Sequence, residues 1–245
     1  MRIALVGCEV VLRELCDAVV RSPHQTDLVF LPKGLHDLGA KAMREEIQAH
    51  IDAADAGAAE AIVLGYGLCG TGLAGLVARS KPLVIPRAHD CITLLMGSRR
   101  RFDAYFAEHP GVYYRSAGWV ERGQGLVPMA RDRTGVTFTR DALVGRYGED
   151  NGAFLYEELT RYQRAYSELA YIATEVDPDD RFESAARVEA AEKGWRFERL
   201  DGDLSLFRRL LAGDWADEDF LLVPPGGRIG VSYDDHIVKV EGMSR

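Results

Sequence analysis

The chain has 245 residues, 47% of them hydrophobic and 28% charged. That is ordinary globular composition and enough length for one large domain or two small lobes. Its formal charge of −8, from 38 acidic against 30 basic side chains, argues against nucleic acid and anionic membrane as main partners, since both need a basic footprint.

The opening Met1-Arg2-Ile3-Ala4-Leu5-Val6-Gly7-Cys8 ends like a lipoprotein cleavage site. Its apolar run is only about five residues, against the roughly 7–15 of a signal peptide. It reads instead as a first strand over 2–6, and the expected location is the cytoplasm, where cysteines are thiols or ligands rather than disulfides. A helix follows, with Leu12, Leu15, Cys16 and Val19 near one face, which makes Cys16 a core residue. Residues 26–31 read as a second strand and 40–54 as a helix with Ala42, Met43, Ile47 and Ile51 spaced by three or four. Two more strands are predicted at 61–64 and 82–85, runs too short for helices and bounded by Gly or Pro.

Between 112 and 140 there is no clean period; 112–114 and 136–138 are strand candidates around a long loop holding Trp119. A long helix is predicted over 151–174, with Leu155, Leu159, Tyr162, Tyr166, Leu169 and Ala173 as its buried stripe. Alternation then resumes, with helix at 185–191, strand at 195–198, helix at 204–211 and strand at 220–223. No run approaches the roughly 18 apolar residues of a membrane span. The pattern predicts an α/β fold, a mostly parallel sheet with helices on both faces. The chain is expected to be one domain, or two Rossmann-like lobes at 1–110 and 111–245 bridged by the long helix.

Ligands of such sheets gather beyond the carboxyl ends of the strands. Cys8 follows strand one, His36 and Asp37 follow strand two, Gly65-Tyr66-Gly67-Leu68-Cys69-Gly70 follows strand three, and Arg87-Ala88-His89-Asp90-Cys91 follows strand four. Cys8, Cys69 and Cys91 are therefore candidate ligands of zinc or an iron–sulfur cluster, with one coordination position left open. The competing reading makes them small buried residues at tight turns. His89 and His36 are candidate acid–base groups, Asp90 a group that orients an imidazole, and Tyr66 a residue that orients a substrate. His24, His50, His109 and His236 are expected to be solvated.

Gly65, Gly67 and Gly70 match the spacing of a dinucleotide fingerprint, with Asp90 twenty residues past Gly70. The embedded cysteine and a short helix, expected over 71–79, weaken that match. Gly226, Gly227 and Arg228 offer a second candidate anion site, joined by Arg87, Arg131 and Arg133. Tyr66, Tyr113, Tyr114 and Trp119 are candidates to line an apolar pocket or to be core.

The segments 65–70 and 86–98, with Leu35-His36-Asp37, Tyr147-Gly148 and Val223-Pro224-Pro225-Gly226, resemble a bacterial and archaeal family known only as a domain of unknown function. Members are often found near corrinoid-dependent methyltransferases of the methylamine type. The resemblance implies a supporting role in one-carbon or methylated-amine metabolism, and contact with a corrinoid or its methyltransferase. It implies no catalytic assignment.

The leading expectation is a metal- or cluster-dependent enzyme acting on a small polar metabolite. The alternatives are a protein that binds or delivers a corrinoid, a metal or a sulfur species for a methyltransferase partner, and a nucleotide-binding protein using the glycine loop. A homodimer is expected from size alone.

Overall fold

Runs of residues apolar on both sides form the strands at the centre of the molecule, as parallel strands between helix layers require. The structure, a computed structural model, describes residues 1–122, 139–161 and 165–241, except the side chains of 36–38. β1 (Arg2–Cys8) leads through a 3-10 turn at Glu9–Val11 into α1 (Leu12–Arg21), β2 (Gln25–Leu31), α2 (Gly39–Ala56), β3 (Ala61–Gly65) and β4 (Leu83–Pro86). Next come α3 (Cys91–Leu95), α4 (Arg99–Glu108), β5 (Val112–Ser116) and α5 (Ala117–Arg122). α6 (Arg140–Tyr147) and α7 (Glu149–Thr160) precede β6 (Glu168–Ala173), α8 (Arg181–Lys193), β7 (Arg196–Asp201) and α9 (Ser205–Ala212). β8 (Phe220–Val223), β9 (Arg228–Val231) and β10 (Val238–Glu241) follow. Among the described residues no helix is long and apolar enough to cross a membrane.

The main sheet has the order β2-β1-β3-β4-β8, parallel through β4, with β8 antiparallel at the edge. β3 and β4 are buried throughout, as is β1 beyond its first residue. β2 forms the opposite edge, and Leu28 and Val29 are exposed on it. A second, wholly parallel sheet runs β5-β6-β7, with a small core of its own around Leu169, Tyr171, Phe182 and Ala186. β9 and β10 form a two-stranded ribbon, tied to the segment after β3 by a bridge between Arg228 and Val77.

The mostly parallel α/β architecture agrees with the expectation, but three details do not. The single helix over 151–174 is absent: α7 stops at Thr160, and Leu169 and Ala173 lie on β6. Tyr162 lies outside the described residues, as do 136–138, Arg131 and Arg133. The helix expected over 71–79 is a series of turns. Sheet membership does not divide at 110, because β8 returns to the first sheet after β5, β6 and β7 have built the second.

The two sheets present their carboxyl ends to one another. α5, springing directly from β5, packs so closely on the turn after β1 that a side chain at Gly118 would collide with the Val10 carbonyl. Beyond β6, Thr174 meets Glu14 of α1. After β7, the Asp203 amide donates to the Leu95 carbonyl at 2.9 Å.

Candidate cysteine centre between the two sheets

The chain enters the main sheet at β1, steps to β2, then crosses back to β3 on the other side of β1. Loops diverge at that reversal, and open α/β sheets place their ligands in the resulting crevice. Cys8 closes β1 and Cys69 follows β3, so the two flank the crevice; Cys91 starts α3, just past β4.

Local contacts fix the loops. Leu68 N–H donates to the Ala88 carbonyl at 2.8 Å and Cys69 N–H to that of His89 at 2.8 Å. This zips the loop after β3 to the loop after β4. Gly67 is needed for that approach, since a Cβ there would stand 2.6 Å from the Asp90 nitrogen. Cys69 and Thr71 are left-handed, at φ 49° and 74°. Such non-glycine conformations cost about 1–3 kcal/mol each and persist only where surroundings impose them.

Cys8 is 5% and Cys69 9% exposed. Burial pushes the Cys8 thiol up to about 11 and lifts Cys69 and Cys91 well above the ordinary thiol range. Charge on Cys8 also raises Cys69, and charge on Cys69 and Cys8 raises Cys91, while Cys8 is raised by Glu9 and lowered by Lys33. The three sulfurs therefore share one electrostatic neighbourhood. Among the described residues they do not form a group with all ligand atoms within 4.8 Å of one another.

The second sheet contributes the lid. Trp119 on α5 donates its indole N–H to Cys91 Sγ at 3.3 Å, and Lys33 Nζ stands 5.0 Å from the centre of the Trp119 ring. Glu9 Oε1 accepts from the Lys33 amide at 2.8 Å, and its other oxygen lies 3.7 Å from Arg122 Nη1. Tyr66 is 2% exposed. Its hydroxyl is fully buried with no hydrogen-bond partner, as is that of Tyr114. Burial raises both phenols above their ordinary range; Cys8 and Cys69 add to it at Tyr66, and Asp90 adds to it at Tyr114.

The remaining candidates fall elsewhere. His89 is exposed, its ring 6.3 Å from that of Phe102, and the His36 side chain lies outside the described residues. Among the described residues Asp90 orients no imidazole; its Oδ1 caps α3, accepting from the amides of Ile92 and Thr93 at 3.0 Å each and from the Thr93 hydroxyl at 3.2 Å. Gly65, Gly67 and Gly70 precede turns, so their loop lacks the helix N-terminus on which a pyrophosphate rests.

Gly226, Gly227 and Arg228 sit at the other end of the sheet, because β8 runs opposite to β4. The two glycine amides are already used: Gly226 N–H donates to the Ala78 carbonyl at 2.8 Å and Gly227 N–H to that of Pro224 at 2.9 Å. Arg87 is not free for an anion either. Its buried guanidinium donates to the carbonyls of Asp217 and Val238, both at 2.6 Å, and to Asp217 Oδ1 at 2.8 Å.

One group with ligand atoms all within 4.8 Å, His109, Glu168 and Glu198, lies at the opposite end of the second sheet. His109 is not simply solvated: it stacks on Tyr105 at 4.1 Å and its Nδ1 lies 3.2 Å from Glu168 Oε2. Arg196 already supplies the cation there, with Nη2 2.6 Å from Glu168 and 3.6 Å from Glu198. Lys33 was not among the candidate site residues, and Trp119 was expected only to line an apolar pocket or to be core, because the short α5 left no period to place it beside Cys91.

A family model described as "Protein of unknown function (DUF1638)" matches residues 30–211. That span holds Tyr66, Cys69, Cys91 and Trp119. Neither a curated protein nor a solved structure matches the chain.

Proposed function

The chain belongs to the DUF1638 family, and we propose that Cys8, Cys69 and Cys91 hold a metal centre at which a small polar metabolite is transformed. The observation that carries this reading is the placement of buried Cys8 and Cys69 and half-buried Cys91 just past three adjacent strands at the sheet's reversal, the usual ligand crevice of the fold, with α5 of the second sheet against Cys91. The donor set fits: thiolates select zinc and iron–sulfur clusters, and cation binding explains how buried, high-pKa thiols come to ionise.

The three sulfurs do not all lie within 4.8 Å of one another, which suits a single ion less well than a cluster. A tetrahedral zinc with bonds of about 2.3 Å would draw its sulfurs to about 3.8 Å apart, whereas a cluster seats each cysteine on a separate iron. Held by three cysteines, a cubane cluster supplies one iron with an open position, a Lewis acid for a substrate oxygen or sulfur. The chain's own part is to exclude water with α5 and to donate the Trp119 N–H to sulfur. A place in corrinoid-dependent one-carbon metabolism rests on family resemblance, as does the alternative of a delivery protein for a methyltransferase. Burial of Cys8 and Cys69 favours a resident group over a freely exchanging cargo.

Protein purified without oxygen is expected to contain iron and acid-labile sulfide and to show broad visible absorbance. Cys69→Ala and Cys91→Ala should lose the metal while Cys16→Ala keeps it. Equal metal content in Cys16→Ala and Cys69→Ala would remove the three-cysteine site. Zinc without sulfide would replace the cluster with a single ion.

A further inference from the structure

We propose that the Tyr66 hydroxyl donates a hydrogen bond to the group held by Cys8, Cys69 and Cys91, acting as a positioning residue that governs how firmly the group is retained. This rests on the metal-centre reading above.

A hydroxyl buried without a partner forfeits about 1–3 kcal/mol, and native interiors rarely leave such an atom unexplained. That of Tyr66 is sealed from solvent and unpaired. It stands in the field of Cys8, Cys69 and Glu9, on the residue just after β3, where the chain leaves the sheet toward Cys69. The backbone allows it little freedom. Gly65 lies against Gly7, the Cβ of a side chain at 65 being 3.2 Å from the Gly7 Cα, and Gly67 is pinned on Asp90.

Neutral thiols are weak acceptors. Thiolates and sulfides are strong ones, and three of them carry more negative charge than a bound cation cancels. Hydrogen-bond donors are then what the sulfurs need from the protein. Trp119 supplies one from the second sheet, to Cys91; Tyr66 supplies the other from the first sheet, on the side of Cys8 and Cys69. Its unpaired state is that of a donor whose acceptor arrives with the ligand. Tyr114 is a control: its hydroxyl is also unpaired, yet its charged neighbours are Asp90 and Glu168 rather than the thiols.

The test compares wild type, Tyr66→Phe and Tyr114→Phe, each reconstituted without oxygen using iron and sulfide. Tyr66→Phe is expected to take up the same amount of iron but release it to a chelator about tenfold faster, the scale on which a metal site responds to loss of an outer hydrogen bond. Its reduction potential should fall, because a donor to sulfur stabilises the reduced centre. Metal-free Tyr66→Phe should melt no lower than metal-free wild type, since only an unpaired hydroxyl is lost, and Tyr114→Phe should match wild type in release and potential.

A loaded Tyr66→Phe protein with wild-type release and potential overturns this inference alone. A metal-free Tyr66→Phe protein that melts well below wild type also overturns it, assigning the hydroxyl to the fold. Wild type that takes up neither iron nor zinc overturns the metal-centre reading and this one with it.

Discussion

Cys16 and the three strand-end cysteines differ in what solvent can reach. Cys16 is half-buried on α1, whereas Cys8 and Cys69 are buried and the sulfur of Cys91 is held under Trp119. With its thiol lifted from 9.0 to about 11, Cys8 carries about a hundredfold less thiolate than an ordinary cysteine at pH 8. Metal-free native protein treated with iodoacetamide at pH 8 should therefore label Cys16 first. The other three should follow only in denaturant, and peptide mapping against time will show the order. Early labelling of Cys69 would contradict the closed crevice. Cys16 also shows where single residues escape periodicity. Leu12, Leu15 and Val19 placed it on the apolar face, yet the buried residues of α1 are Glu14, Leu15 and Ala18. A glutamate buried in a helix cannot be told by its letter from one in water.

At the scale of elements, the junction of β4 and β8 is held from outside the ladder. Arg87, just beyond β4, spans to the carbonyls of Asp217, His236 and Val238 and so joins the edge strand to the β9–β10 ribbon. Removing it would strand those acceptors, and a buried acceptor left unpaired costs about 1–3 kcal/mol. Arg87→Ala should lose stability on that scale in urea. Arg87→Lys should recover only part of it, because one ammonium cannot reproduce a planar fork of donors.

Strands β1, β3 and β4 and helices α2, α8 and α9 were legible because their patterns and flanking breakers agreed. The helix over 151–174 was not. β6 reads Glu-Leu-Ala-Tyr-Ile-Ala, covered on both faces, and such a run has no alternation to separate it from a helix. Leu155, Leu159, Leu169 and Ala173 then fell at helical spacing across two different elements. The partners of Arg87 lie about 130 residues or more away in sequence, beyond the reach of any local pattern. The cysteines were legible as candidates because strand ends are. Their lid was not, because α5 comes from the other sheet.

Across the whole molecule, the two sheets meet at a buried acid. Glu14 of α1 is 1% exposed, and one of its oxygens has no partner. The Thr174 hydroxyl lies 3.4 Å from the other oxygen and 2.9 Å from Asp177 Oδ1, while Tyr171 donates to Asp177 Oδ2 at 2.8 Å. Burial, with Asp177 adding to it and Arg13 opposing, lifts Glu14 from 4.5 to about 7. The folded state therefore holds a proton that the unfolded chain releases near pH 4.5. Stability from this group is complete below that pH and falls as pH rises to about 7, by a total of about 3 kcal/mol. Denaturant unfolding at pH 5 and pH 8 should show that loss in wild type. Glu14→Gln, which cannot ionise, should be less sensitive over the same interval. An unchanged pH dependence in Glu14→Gln would place the titrating group elsewhere.

The return of β8 to the first sheet has a consequence for synthesis. Roughly 130 residues separate β4 from the strand that completes it, about ten seconds of translation at the usual rate. During that interval Cys8, Cys69 and Cys91 have all left the ribosome, while Arg87 lacks its acceptors and the second sheet is still being made. Sulfide and iron supplied in that window would meet open thiols. Supplied after release, they would meet thiols already covered by α5, and loading should be slower.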